Sequence, residues 1–256
     1  MTKIKLCGLT RPCDIEYVNE LLPEYIGFVF APKSRRYISP EKAEVLREHL
    51  DDRITPVGVF VDEKIEVIAD LIKRKIIDIV QLHGNESEKY ITGLRMVIDC
   101  PVIKAFRIES EADIVSANNS SADYVLLDSG GGTGKVFDHS LLKDIARPYF
   151  LAGGLTPENV ETAVKQLKSF AVDVSSSLET DGFKDKIKMM ATGAIHEVTE
   201  KGYGKRVHFE DFKPHGRGTG GQRKITTRTN SLKILMKDSG KIKVSAQNKK
   251  VYAKPS

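Results

Sequence analysis

The chain has 256 residues, 40% hydrophobic and 29% charged, the profile of a folded soluble protein and not of a disordered one. No uncharged run approaches the roughly 18 residues of a membrane-spanning helix, and the start, MTKIKLCGLTRP, is charged where a signal peptide is apolar, so no membrane or secretory role is expected and the cytoplasm is the default. The net charge of +5 is uneven: residues 1–190 hold 25 Lys+Arg against 30 Asp+Glu and residues 191–256 hold 15 against 5, which separates a body (1–190) from a basic, Gly-rich tail (191–256).

Along the body, apolar runs of strand length recur at 4–8, 25–30, 55–61, 78–82, 102–106, 124–128, 149–153 and 171–175. Helical spacing lies between them, clearest at Ile65, Ile68, Ala69 and Ile72 and at Val160, Ala163, Val164 and Leu167. Ser39-Pro40 and Thr156-Pro157 each place a capping hydroxyl before a proline at a helix start. Several runs, such as 57–61, are apolar without alternation, as in parallel strands covered on both faces. Eight strand–helix units predict a closed (β/α)₈ TIM barrel, with a doubly wound open sheet as the alternative.

Reactive groups of such barrels sit where strands end. Here those positions hold Cys7-Gly8, Arg35-Arg36, His83-Gly84, Asp128 with its glycine loop, Gly153-Gly154 and Ser175-Ser176-Ser177. Singly each has a plain structural use: a strand cysteine fills space, a histidine ends a turn, paired glycines make room. Six together at one rim point to a site. The loops at 128–134 and 152–157 offer backbone N–H groups to an anion, and loops after strands seven and eight are the usual phosphate site of these barrels. Neither fits a Walker A loop, since Ser129 stands at its first glycine and Val136 follows Lys135, so a sugar phosphate is the better ligand class than a nucleotide. Three cysteines without a Cys-x-x-Cys or His/Cys cluster give no metal site.

The segments KLCGLT (5–10), GFVFAPKSRRYIS (27–39), VGVFV (57–61), QLHGNE (81–86), LLDSGGGTGKVFD (126–138), LAGGLTPENV (151–160) and VDVSSSLETDGFKD (172–185) resemble the phosphoribosylanthranilate isomerase family, in order, over about residues 1–190. The resemblance implies a barrel of ribulose-phosphate-binding type and an Amadori rearrangement of N-(5-phosphoribosyl)anthranilate in tryptophan synthesis, with neither metal nor cofactor. It implies Asp128 as the acid and Cys7 as the base. Arg36 would hold the anthranilate carboxylate, His83 would lie beside the substrate, and Gly153, Gly154, Ser176 and Ser177 would bind the phosphate. The chemistry makes opposite demands: Asp128 must carry a proton, favoured by desolvation, and Cys7 must lose one, favoured by positive charge such as Lys5 two residues earlier on the same strand face. Two positions depart from the family pattern. Ser177 stands where a glycine is usual, which is strained if the backbone there has φ > 0, and His139 where an aromatic is usual. Another phosphoribosyl sugar isomerase is the alternative within the fold, disfavoured because such enzymes carry aspartate at the position of Cys7.

Residues 194–225 resemble one blade of the C-terminal DNA-wrapping propeller of DNA gyrase, through VTEKGYGKR (198–206) and FKPHGRGTGGQRKI (212–225). The remainder, from 226, reads as strands around an SGK turn or as disorder. Three readings of the tail stay open: a joined segment without a catalytic role, a basic appendage making weak non-specific nucleic-acid contacts, and a replacement for the end of the last barrel helix, continued through Ile187, Met190, Ala194, Ile195 and Val198. A nucleic-acid-binding protein with an impaired barrel is the alternative from another functional class.

Overall fold

Each of the eight apolar runs forms a strand: β1 Lys3–Cys7, β2 Tyr25–Val29, β3 Thr55–Phe60, β4 Ile79–Leu82, β5 Val102–Arg107, β6 Tyr124–Asp128, β7 Tyr149–Ala152 and β8 Ala171–Val174. They run parallel and close in sequence order, β8 pairing with β1, which rules out the open sheet. The computed structural model describes residues 2–128 and 139–193 and the strands 232–236 and 242–246. The gyrase-like stretch and the loop at 129–138 lie outside the described residues.

The helices are α1 Pro12–Leu21, α2 Pro40–Glu48, α3 Ile65–Lys73, α4 Glu88–Arg95, α5 Glu111–Asn119, α6 Val160–Leu167 and α7 Lys186–Gly193. Their starts follow local chemistry. Asp14 accepts the N–H groups of Thr10 and Arg11 at 2.9 and 3.0 Å, while Ser39 and Ser87 accept those of Lys42 and Tyr90. Thr156 does receive the N–H of Glu158, but α6 begins later, at Val160, after a turn in which Asn159 accepts the N–H of Thr156. Among the described residues the unit after β6 holds only a 3₁₀ turn, His139–Asp144, where a full helix was expected.

Alternation sorts the strand side chains into two sets. Tyr25, Val57, Ile79, Ile103, Leu126 and Phe150 pack inside the barrel; Ile4, Leu6, Ile26, Phe28, Val80 and Leu127 pack outward beneath the helices. Both sets are apolar over most of the strand length, hence the lack of a hydrophobic–polar alternation in the sequence. Toward the C-terminal ends the inward set becomes Cys7, Val29, Ala31 and Val59. Continuing the same parity, Gln81, His83 and Asp128 also face the mouth.

The last helix, α7, crosses residue 190. Its Met189 and Thr192 are fully buried, Lys186 pairs with Glu20 at 2.7 Å, and a Cβ on Gly193 would come within 3.0 Å of Leu21 on α1. So α7 closes the ring against α1, and a glycine permits the approach. The chain divides into two units, Met1–Gly202 and Tyr203–Ser256. In the second, β11 Leu232–Met236 and β12 Ile242–Ala246 pair antiparallel, one of the two outcomes expected there. Among the described residues no helix is long and apolar enough to cross a membrane.

Candidate active site

Cys7 ends β1 facing the mouth, 6% exposed, and its partner in register is Gly27 on β2. The glycine is needed: a Cβ there would stand 2.5 Å from the Cys7 Sγ. Two residues deeper, Lys5 is fully buried and pairs at 2.9 Å with Asp173, its register partner on β8. This is more than lining. Burial alone would lower the Lys5 pKa, yet the Asp173 and Cys7 charges outweigh it and hold the ammonium above its ordinary value. For Cys7 the balance runs against the sequence expectation. Burial raises its pKa and exceeds the opposing pull of Lys5 and Lys184, so the site holds the thiol above its ordinary value.

Arg36 reaches the rim from the loop after β2, and its stem crosses Gly8, where a Cβ would lie 2.4 Å from the Arg36 Cδ. Gly8, at φ +86°, is therefore glycine twice over, for its backbone and for the room it leaves. The Nε and Nη2 of Arg36 bind the two carboxylate oxygens of Glu179, the latter at 3.1 Å, as a bidentate fork. Lys184 Nζ meets the same carboxylate at 2.9 Å and donates to the Ser175 carbonyl at 2.9 Å. Burial would raise the Glu179 pKa, but hydrogen bonds from Arg36 and Lys184 hold it below the usual carboxylate value. Lys184 is pushed below its ordinary value by burial despite that partner. Glu179 (β9 Glu179–Thr180) and Lys184 (β10 Phe183–Lys184) belong to a short antiparallel hairpin after β8. Neither was singled out by sequence, though both lie within the matched segment 172–185. Their pairing with Arg36 spans 143 residues and has no local signal.

His83 and Asp128 meet across the mouth, with Nε2 and Oδ2 3.4 Å apart. The His83 Nδ1 lies 2.9 Å from the amide nitrogen of Gln81, itself 1% exposed. Asp128 sits on β6, three strands around the ring from β1.

After β7, Gly153 and Gly154 take successive positive φ values of +86° and +63°, and a Cβ on Gly154 would meet nothing within 4 Å. That leaves open space at the start of the β7–α6 loop. Ser176 and Ser177 open a 3₁₀ turn, Ser176–Leu178. Ser177 is not at positive φ, so the strain feared for a side chain there does not arise. Its hydroxyl donates to the Leu155 carbonyl at 2.6 Å and ties the β8 loop to the β7 loop, while Ser175 donates to the Cys7 carbonyl at 3.0 Å. His139 begins the 3₁₀ turn before β7; its side chain is outside the described residues. The eight candidate residues thus all lie at the C-terminal rim. Together they bring a carboxyl, a buried thiol, a guanidinium and two glycine- and serine-lined loops to one mouth, a set suited to proton transfers on an anionic sugar.

Residues 4–192 match the family described as N-(5′-phosphoribosyl)anthranilate (PRA) isomerase. An N-(5′-phosphoribosyl)anthranilate isomerase of Endomicrobium trichonymphae is 46% identical over 200 residues, 76% of this chain and 98% of its own; one of Clostridium acetobutylicum is 46% identical over 198 residues, covering 74% and 95%. Among solved structures, the phosphoribosyl anthranilate isomerase of Thermotoga maritima superposes with a TM-score of 0.70 at 37% identity, over 77% of this chain and 99% of that one. A second, solved with reduced 1-(o-carboxyphenylamino)-1-deoxyribulose 5-phosphate, gives 0.68 at 36% with the same coverage. With the match spanning the whole barrel and nearly the full length of these relatives, the chain belongs to the phosphoribosylanthranilate isomerase family.

Proposed function

We propose that this chain converts N-(5′-phosphoribosyl)anthranilate to 1-(2-carboxyphenylamino)-1-deoxyribulose 5-phosphate, the Amadori step of tryptophan biosynthesis, and does so in the cytoplasm without metal or cofactor. The observation that carries the reading is Cys7 and Asp128 facing inward at one rim, in a chain of this family. Asp128 protonates the furanose ring oxygen, the ring opens to a Schiff base, and Cys7 removes the C2′ proton to give the enolamine that tautomerises to the ketone. Arg36 takes the anthranilate carboxylate through the donors Glu179 leaves it, and His83 lies against the substrate beside Asp128. Backbone N–H groups at Gly153, Gly154, Ser176 and Ser177 take the phosphate. The direct test adds the purified chain to phosphoribosylanthranilate and follows the fall in anthranilate-type fluorescence. A decay no faster than without protein refutes the reading.

The phosphate assignment has its own consequence. Gly154→Asp puts a carboxylate into the open space beside the anion, in a left-handed conformation aspartate tolerates. KM should rise about tenfold or more with kcat little changed, since the anion is held alike in ground and transition states. Inorganic phosphate should compete with substrate in the parent protein and less well in the variant. An unchanged KM places the phosphate elsewhere.

The charge division falls at residue 190, but Thr192 and Gly193 pack within α7, so the basic appendage proposed to lie outside catalysis begins after Gly193. Its 15 Lys+Arg against 5 Asp+Glu should give micromolar or weaker, sequence-independent DNA contact that falls steeply with salt. Removing 203–256, the second unit, should leave kcat/KM within a few-fold. Loss of turnover on that truncation makes the tail part of the barrel. Tight DNA binding at physiological salt favours instead the reading in which nucleic acid is the chief partner.

A further inference from the structure

Gln81 is a mouth-side strand residue whose chemistry the reaction leaves unused, and its environment is unusual. It is 1% exposed, on β4 two residues before His83, and so shares the inward face. Its Nε2 lies 2.9 Å from the His83 Nδ1, while its Oε1 is buried without a hydrogen-bond partner. An orphaned buried oxygen costs free energy that a leucine of similar size would not, so packing does not explain the amide. Its donor does. A side-chain N–H aimed at Nδ1 requires a lone pair there, which in a neutral imidazole places the ring hydrogen on Nε2. Nε2 faces the Asp128 Oδ2 at 3.4 Å.

We propose that Gln81 is a positioning residue: it fixes His83 in the Nε2–H tautomer, so that the ring presents a donor to Asp128. This rests on the reading of Asp128 as the acid. Before transfer, the Nε2–H points at Oδ2 and leaves the mobile proton on Oδ1. As that proton passes to the furanose ring oxygen, negative charge grows on the carboxylate and the contact with Nε2–H shortens and strengthens. The imidazole neither gains nor loses a proton, and balance is kept between Asp128 and the sugar. Without Gln81 the ring is free to take the Nδ1–H tautomer, which turns a lone pair toward the developing carboxylate.

The test separates position from packing because the two predict opposite signs. Gln81→Leu removes the orphaned oxygen, so the melting temperature should hold or rise, while kcat falls about tenfold and KM stays within twofold. Gln81→Glu keeps the shape but offers an acceptor to Nδ1–H. In long-range ¹H–¹⁵N spectra of the unaltered protein His83 should show the Nε2–H tautomer, shifting toward Nδ1–H in Gln81→Glu. A parent protein in the Nδ1–H form overturns the proposal, and so does a Gln81→Leu variant with kcat within twofold of the parent. A kcat loss that merely follows a lowered melting temperature, with the tautomer unchanged, makes Gln81 a packing residue and also overturns it. The tautomer is read without turnover, so inactivity of the parent protein on phosphoribosylanthranilate refutes the functional reading without being mistaken for a failure of this one.

Discussion

Cys7→Ser and Asp128→Asn should each lower kcat by about 100-fold or more while changing KM by much less. Two proton transfers at different atoms are required, and neither group replaces the other. Serine in place of Cys7 keeps the shape that fits above Gly27, but its hydroxyl is far less acidic than a thiol, so the C2′ proton has no competent acceptor. Asparagine keeps the contact with His83 but has no proton to give the ring oxygen. A chelator should change nothing. Since burial holds the Cys7 thiol above its ordinary value, the free enzyme's kcat/KM should climb with pH through an ascending limb above the usual thiol pKa of about 8.5. The limb belongs to Cys7 and should vanish in Cys7→Ser. A steady-state pH series on parent and variant checks both points; near-parental turnover in either variant removes that residue from the mechanism.

The barrel was legible because strand-length apolar runs bounded by rim residues recur eight times, and each lies within about one residue of an observed strand. Rim glycines and hydroxyls were equally visible, as their placement follows directly from strand ends. Three features were not. The 3₁₀ turn at His139–Asp144 escaped because such a turn and a short helix carry the same local composition. The Arg36–Glu179–Lys184 network joins β2's loop to a hairpin some 140 residues on, and only the closed ring brings them together. The state of Cys7 could not be read from Lys5 alone, since the sign depends on burial, and Cys7 is buried among Val29 of β2, Ala31 of the loop that follows and Val59 of β3. At Ser177 the strain was conditional on a left-handed backbone; the turn there is helical and the side chain is tolerated.

Lys5→Met should destabilise the barrel by about 3–5 kcal/mol, the usual cost of leaving one member of a buried ion pair without its partner. Asp173 is 9% exposed, its Oδ1 has no hydrogen-bond partner and its Oδ2 depends on Lys5, so the substitution strands a carboxylate inside the barrel. The raised Lys5 pKa fixes the sign of the pH dependence. Its contribution is complete below the unfolded lysine value of about 10.4 and is lost as pH rises through the higher folded value, so the gap between parent and variant should close only in strong alkali. The double variant Lys5→Met/Asp173→Leu should recover most of the stability, because an apolar pair of similar volume avoids desolvating two charges. Activity should not recover with it. Lys5 acts on Cys7 as a charge and as a hydrogen-bond donor, both lowering the thiol pKa, while the Asp173 charge raises it, so the ascending limb of kcat/KM should move to higher pH in the single variant and, by less, in the double variant. Denaturant titrations and pH–rate profiles on the three proteins separate the two roles. A double variant that regains stability and the parental pH profile would show that the pair serves the barrel and not the thiol; regained stability with a displaced profile shows that the ion pair is kept for the charge it holds beneath Cys7.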